Sequence, residues 1–273
     1  MPRPGLPKLI ATDLDGTLVR SDETVSAYTH EVLDRVRAAG IPIVGATGRG
    51  PRLTELTRND IRAADYLVMA GGGRVVDQVD PTSPVVLRDE RLSGAVLTEL
   101  LVALENAVGP LTVMVEALDG HEEPLWGDFD PSWPYPERFE ARSRAECLSV
   151  DVIKAFARTA DHDVDVLLDA ARRVIPVTHA TVTQAGLGFI EILPPGVDKA
   201  SGLSVVADAL GVDPAEVLVF GDMPNDLPMF EWAGWGRVAV SNAHPTVRRA
   251  ADEVALRNDD DGVAVYLDRL LSR

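Results

Sequence analysis

The chain has a single cysteine, Cys147, among 273 residues. No intrachain disulfide is possible, which fits a reducing compartment and excludes the disulfide-stapled secreted scaffolds. Nothing around Cys147 resembles a catalytic signature, so a filler or surface role is expected for it. Long apolar runs are also missing. Leu9 to Ala11, near the N-terminus, is far too short for a signal-peptide core or a spanning helix. A soluble, cytoplasmic protein is expected. Positive charge is scarce: 26 Lys and Arg stand against 43 Asp and Glu, a formal net charge of −17. Such a chain repels phosphate backbones and anionic lipid, so neither nucleic acid nor membrane is expected as a partner. Any phosphorylated substrate must be captured by a local cationic site, against the mean field. The five histidines (His30, His121, His162, His179, His244) are scattered without metal-ligand spacing. No P-loop is present, and the glycine triplet Gly71 to Gly73 is not a dinucleotide fingerprint.

What is present is an ordinary globular chain, 46% hydrophobic and 25% charged, long enough for one large domain or two of moderate size. Several short apolar runs each end in a polar or glycine-rich loop. Lys8 to Thr12 leads into Asp13, and Ile41 to Ala46 into Thr47-Gly48-Arg49. Tyr66 to Met69 leads into Ala70 and the glycine triplet. Val217 to Phe220 leads into Gly221-Asp222, and Val238 to Val240 into Ser241-Asn242-Ala243. Such runs suit strands buried on both faces, as in a parallel sheet. Helical spacing separates them. Tyr28, Val32, Leu33 and Val36 recur at 3.6-residue spacing, with Ser26 as a candidate N-cap. Leu203, Val206 and Leu210 do the same before Val217. Pro228 sits where a first helical turn tolerates it. The alternation predicts a doubly wound, Rossmann-like α/β core with a parallel sheet. In such sheets ligands bind beyond the carboxyl ends of the strands, so these loops are candidates for one site.

The middle of the chain has another pattern. It predicts a helix over Ser93 to Val108, strands over Leu111 to Leu118 and Val150 to Ala157, a helix over Val164 to Ile175, and a strand over Val177 to Thr183. Phe189 to Leu193 can form one more strand. These strands alternate as in an antiparallel sheet with helices on one face. We therefore expect residues 1–82 and 186–273 to form the core and residues 83–185 an inserted α+β cap domain.

The strongest motif is Asp13-Leu14-Asp15-Gly16-Thr17, at the end of the first buried run. Two carboxylates two residues apart on an extended strand point the same way. They repel unless a cation lies between them, and oxygen-only ligands select a hard ion such as Mg²⁺. Gly16 lets the backbone approach a ligand and present N–H groups to phosphate oxygens. Gly221-Asp222-Met223-Pro224-Asn225-Asp226 supplies further carboxylates, Thr47-Gly48-Arg49 a hydroxyl and a cation, and Lys199 an ammonium at a helix start. Each also has a structural reading: a capping Asp pair, a turn, a solvated lysine, a helix cap.

In that order, the segments Asp-x-Asp-Gly-Thr, Ala-Thr-Gly-Arg, Gly-Val-x-Lys and Gly-Asp-x-x-Asn-Asp-x-x-Met resemble the four motifs of the haloacid dehalogenase superfamily of phosphohydrolases, specifically its Cof-like branch. Ser241 to Pro245 and Asp261-Gly262-Val263 resemble its C-terminal pattern. Gly71-Gly72-Gly73 departs from it, because relatives often carry Asn-Gly-Ala there. The resemblance implies that Asp13 is the nucleophile and that Asp15 is the acid and then the base. Mg²⁺ would be held by Asp13, the Asp15 backbone carbonyl and Asp222. Thr47, Gly16, Gly48 and Lys199 would hold the phosphoryl oxygens, and Asn225 would contact phosphate. Asp226 would orient Lys199 or a metal-bound water, and Arg49 would support the site.

The expected function is a Mg²⁺-dependent phosphomonoesterase acting on a small phosphorylated metabolite, a sugar or polyol phosphate, through an aspartyl phosphate. A phosphotransferase or mutase with the same nucleophile, and a catalytically silent binder of phosphorylated ligands, stand as alternatives. Substrate choice is expected in the inserted domain between Trp126 and Arg144, where Trp126, Trp133, Tyr135 and Phe139 lie with Arg138, Arg142 and Arg144; packing under the cap sheet is the competing reading. Asn258 to Gly262 reads as a polar loop capping the last helix.

Overall fold

The computed structural model describes residues 5–117, 123–128, 133, 139–184 and 188–272. The chain divides into two compact units. The first comprises Met1–Gly48, Glu55–Arg88 and Lys199–Arg273; the second comprises Arg49–Thr54 and Asp89–Asp198.

The first unit opens with β1 (Leu9–Thr12), α1 (Ala27–Ala38), β2 (Ile43–Ala46), α2 (Thr54–Asp60), β3 (Tyr66–Met69), β4 (Arg74–Asp77) and β5 (Val85–Asp89). The second unit carries α3 (Gly94–Val108), β6 (Thr112–Glu116), β7 (Leu125–Gly127), β8 (Phe139–Ala141), α4 (Arg144–Cys147), β9 (Lys154–Arg158), α5 (Val164–Val174), β10 (Thr181–Gln184) and β11 (Ile190–Leu193). The chain then returns to the first unit with α6 (Lys199–Leu210), β12 (Val217–Gly221), α7 (Leu227–Trp232), β13 (Gly236–Val240), α8 (Pro245–Ala250), β14 (Glu253–Ala255) and α9 (Gly262–Leu271).

Eight strands of the first unit form one sheet in the order β14-β13-β12-β1-β2-β3-β4-β5. From β14 to β3 every pairing is parallel, and β4 turns back antiparallel on β3. Leu9, Ile43, Leu67, Leu218 and Val238 are all fully buried, as expected for strands covered on both faces. Chain order reverses at β1: β2 and β3 extend the sheet one way, β12 and β13 the other. That reversal is the switch point at which doubly wound sheets open a crevice beyond the strand ends. Helix α1 starts on the Ser26 side chain, which accepts from Thr29 N–H at 3.0 Å. Val32, Leu33 and Val36 face the core, whereas Tyr28 is exposed and its hydroxyl donates to Asp268.

The second unit is built on a six-stranded sheet, β10-β11-β9-β6-β7-β8, antiparallel except for the parallel β7–β8 pair. Helices α3 and α5 pack on one face. Val113, Val115, Ala155, Ala157, Ile190 and Ile192 share a cluster with Leu97, Leu101 and Leu104 of α3 and Leu167 of α5. Alternate residues Met114, Leu125, Phe156 and Phe189 fall into another cluster, which Trp133 joins from outside the strands. This period-2 division follows from the pleat. Cys147 is buried, and burial raises its thiol pKa, which leaves it an inert filler.

Two domain boundaries differ from the sequence expectation. Strand β5 extends the first unit's sheet, so that unit runs to Arg88 rather than to residue 82. Strand β11 pairs with both β9 and β10, so the second unit runs to Asp198 rather than to residue 185. Backbone pairing decides both, and hydropathy does not report it.

Within the stretch expected to read substrate, Trp133, Arg142 and Arg144 make local contacts. Trp133 is buried edge-on against Phe156, with ring centroids 5.1 Å apart, and against Phe189 at 5.7 Å. The Arg142 guanidinium stacks 4.4 Å from the Trp126 ring centroid and pairs with Glu140. Arg144 donates to Glu105 and to the Leu111 carbonyl. Tyr135 and Arg138 lie outside the described residues.

Candidate active site

Three strand ends and one helix start carry the site, all within the first unit. The β1–β12 pairing sets Thr12 against Phe220, and Asp13 N–H donates to the Phe220 carbonyl at 3.0 Å. Asp13 therefore follows β1 directly beside Gly221-Asp222 at the end of β12. Lys199 is the first residue of α6 and only 1% exposed. Its Nζ donates to Asp13 Oδ1 at 2.6 Å and to Asp226 Oδ1 at 2.5 Å.

Asp226 is fully buried, and its second oxygen accepts from the backbone N–H groups of Asp222 (2.8 Å) and Met223 (3.0 Å). Both oxygens are thus engaged within the protein. A Cβ at Gly221 would lie 2.6 Å from that oxygen, which only glycine avoids here. Asp222 Oδ1 accepts from the Thr17 hydroxyl at 3.0 Å. Its other oxygen faces Gly16, which has φ +84°; a Cβ there would come within 2.6 Å of the carboxylate. Glycine is required at position 16 both for conformation and for space.

The electrostatics follow from burial. Burial raises the Asp13 pKa well above the ordinary carboxylate range; Lys199 opposes this, while Asp226, Asp222 and Asp15 add to it. Asp222 is pushed up to about 6, by burial first and by Asp226 second, with the Thr17 hydrogen bond opposing. Burial disfavours the Lys199 charge, but Asp13 and then Asp226 outweigh it and hold the ammonium above its ordinary value. Asp13 and Asp226 share the Lys199 ammonium while the Asp222 and Asp15 charges also bear on Asp13, and a further cation would relieve the crowding.

Asp13, Asp222 and Asp226 each place one oxygen within 4.8 Å of the others. An all-carboxylate set of this kind fits a hard divalent ion. The sequence expectation had Asp13, the Asp15 carbonyl and Asp222 as ligands. The carboxylate triple contains Asp13 and Asp222 of that set together with Asp226, whose oxygens already serve Lys199 and two N–H groups. Asp15 is exposed and close enough for its charge to bear on Asp13. Thr47 is buried at the end of β2; its N–H donates to Val68 and its carbonyl accepts from Gly71 N–H, joining the ends of β2 and β3. Gly48 closes that segment of the first unit, and Arg49 belongs to the second. Asn225 is half-buried, with its Oδ1 buried and unbonded among the described residues.

Three contributors escaped the sequence reading: Thr17, Asn242 and His244. Thr17 lies inside the quoted first motif. Asn242 donates to the Gly16 carbonyl at 2.8 Å, and His244 N–H donates to the Asp222 carbonyl at 2.7 Å. Both lie in the Ser241 to Pro245 segment, whose pattern was visible but whose role was not.

A family model for haloacid dehalogenase-like hydrolases matches residues 10–267. The chain belongs to that family. This hydrolase is 29% identical to the 5-amino-6-(5-phospho-D-ribitylamino)uracil phosphatase YitU of Bacillus subtilis, over 97% of this chain and 98% of that one. It is 30% identical to a phosphoglycolate phosphatase of Natronomonas pharaonis, over 95% and 96% of the two chains. Among solved structures, a haloacid dehalogenase-like hydrolase from Bacteroides thetaiotaomicron matches with a TM-score of 0.74 and 27% identity, over 97% of this chain and 99% of that chain. The hydrolase is an enzyme of the phosphoric monoester hydrolase class. No helix among the described residues is long and apolar enough to cross a membrane.

Proposed function

We propose that this hydrolase cleaves a small sugar or polyol phosphate with Mg²⁺, through a phosphoryl group carried on Asp13. The observation that carries the reading is the Lys199 ammonium, buried and held at 2.6 Å from Asp13 and 2.5 Å from Asp226. A carboxylate oriented by a buried cation at a strand end is suited to in-line attack on phosphorus. Asp13 forms the new oxygen–phosphorus bond, and the bond to the leaving alkoxide breaks. Asp15, exposed two residues on, gives that alkoxide its proton. Water, deprotonated by Asp15, then attacks phosphorus, releasing inorganic phosphate and restoring the Asp13 carboxylate.

Asp13 and Asp222, with the Asp15 backbone carbonyl, would hold Mg²⁺, and Asp226 anchors Lys199 beside them. When bound, the ion neutralises carboxylate and phosphoryl oxygens as charge redistributes. Lys199, Thr47 and the backbone at Gly16 and Gly48 hold the other phosphoryl oxygens, and Asn225 adds a polar contact. The named relatives act on a phosphorylated ribityl compound and on phosphoglycolate, which supports a small phosphomonoester; the ribityl compound favours the polyol class.

The test is a panel of phosphorylated sugars, polyols and hydroxy acids assayed for phosphate release with Mg²⁺ and with excess chelator. Release should need Mg²⁺, and Asp13→Asn should abolish it without unfolding the protein. Full activity in chelator, or near-normal turnover by Asp13→Asn, would sink the reading.

A further inference from the structure

The turn after β13 braces two loops of the site at once. His244 N–H donates to the Asp222 carbonyl at 2.7 Å. The Asn242 Nδ2 group donates to the Gly16 carbonyl at 2.8 Å, while its Oδ1 accepts from Asn258 N–H at 3.0 Å. Both partners of this amide are backbone groups, one only an acceptor and the other only a donor. The orientation of the Asn242 amide is therefore fixed by chemistry. Asn258, itself buried, donates its side chain to the Val19 carbonyl at 3.0 Å. The loop from Asp13 to Val19 is thus pinned at two carbonyls by two asparagines.

The pinned peptide is a sensitive one. The Gly16 carbonyl and the Thr17 N–H belong to the same peptide plane; Thr17 N–H donates to Leu14 and the Thr17 hydroxyl to Asp222. Gly16 itself lies against the Asp222 carboxylate. Rotation of that plane moves Asp15 on one side and the Thr17–Asp222 contact on the other.

We propose that Asn242 is a positioning residue for phosphoryl transfer. Its side chain holds the Gly16 peptide so that Asp15 and Asp222 keep their relation to Asp13. This rests on the proposed roles of Asp15 and Asp13. Asn242 is exposed, so its packing contributes little to stability, and its effect should fall on geometry instead.

Two variants test this. Asn242→Ala removes both hydrogen bonds. Asn242→Asp is isosteric and retains the acceptor for Asn258 N–H, while it replaces the donor to Gly16 with a carboxylate oxygen that repels that carbonyl. Hydrogen exchange over residues 14–19 should quicken by about tenfold in both, and the rest of the first unit should be unchanged. With an aryl phosphate and Mg²⁺, kcat should fall about 10–100-fold, the range for losing a group that orients a reacting one. KM should move by less than about threefold, because binding of the phosphoryl group is left in place. Unchanged exchange over 14–19, or unchanged kcat, overturns the assignment. A kcat loss accompanied by faster exchange throughout the unit also overturns it, since that marks a structural residue. If the wild-type protein hydrolyses no phosphomonoester, the proposed function fails, and the exchange measurement still decides the brace.

Discussion

Asp222→Asn isolates the charge crowding of the site. Asp222 rises from an ordinary 3.8 to about 6, by burial and then by the neighbouring Asp226. At about 1.4 kcal/mol per pH unit, that rise amounts to about 3 kcal/mol. Its sign follows from which state holds the proton. Below the ordinary carboxylate pKa both folded and unfolded chains are protonated, and Asp222 costs nothing as a charge. As pH climbs from 4 to 6 the unfolded chain ionises first, so folded stability is lost through that window. Above it the full cost is present. The amide that this substitution introduces cannot ionise, and its oxygen can still accept from Thr17. In chelator, Asp222→Asn should therefore be about 3 kcal/mol more stable than wild type at pH 7.5 and nearly equal to it at pH 4. Urea unfolding at the two pH values measures this, and the gain at pH 7.5 corresponds to roughly 6–12 °C in Tm. Mg²⁺ should close the gap by stabilising wild type and leaving the variant unchanged. A gain of equal size at both pH values, or no gain in chelator, would refute the account of the site as a set of crowded carboxylates.

Lys199→Ala should lower kcat about 100-fold or more, the scale for losing one preorganised electrostatic contact, and an effect confined to KM would recast Lys199 as a plain binding residue. The same change should cost about 3–5 kcal/mol of stability, because Asp13 and Asp226 are left buried without their ammonium. Asp15→Asn should retain labelled phosphate on the protein after acid quench, since water activation is slowed by about 10²–10⁴; no retained label alongside normal turnover would contradict its role. Trp133→Ala should lower Tm through loss of about 3–5 kcal/mol, given its buried contacts with Phe156 and Phe189. Activity on a sugar phosphate and on an aryl phosphate should then fall together, whereas selective loss on the sugar phosphate would return this stretch to substrate recognition.

The strands that matter were legible because a doubly covered sheet demands apolar runs, and each run here ends in the polar group it presents. Leu9 to Thr12 into Asp13, and Val217 to Phe220 into Asp222, need only hydropathy and the rule for strand ends to be read as one site. Lys199 was visible as a cation at a helix start. Its partners were not, because Asp13 and Asp226 lie 186 and 27 residues away and only the parallel pairing of β1 with β12 brings them together. Asp226 read as a helix cap or a helper; folding made it the anchor of Lys199 by presenting two N–H groups to its second oxygen. The aromatics and arginines from Trp126 to Arg144 looked like a recognition surface by composition alone. Composition cannot say which aromatics pack inward, and Trp133, outside any strand, went into the apolar cluster with Phe156 and Phe189. Asn242 had no distinguishing chemistry along the chain. It acquired a role because β13 ends at the same edge of the sheet as β1 and β12, within hydrogen-bond reach of the Gly16 carbonyl.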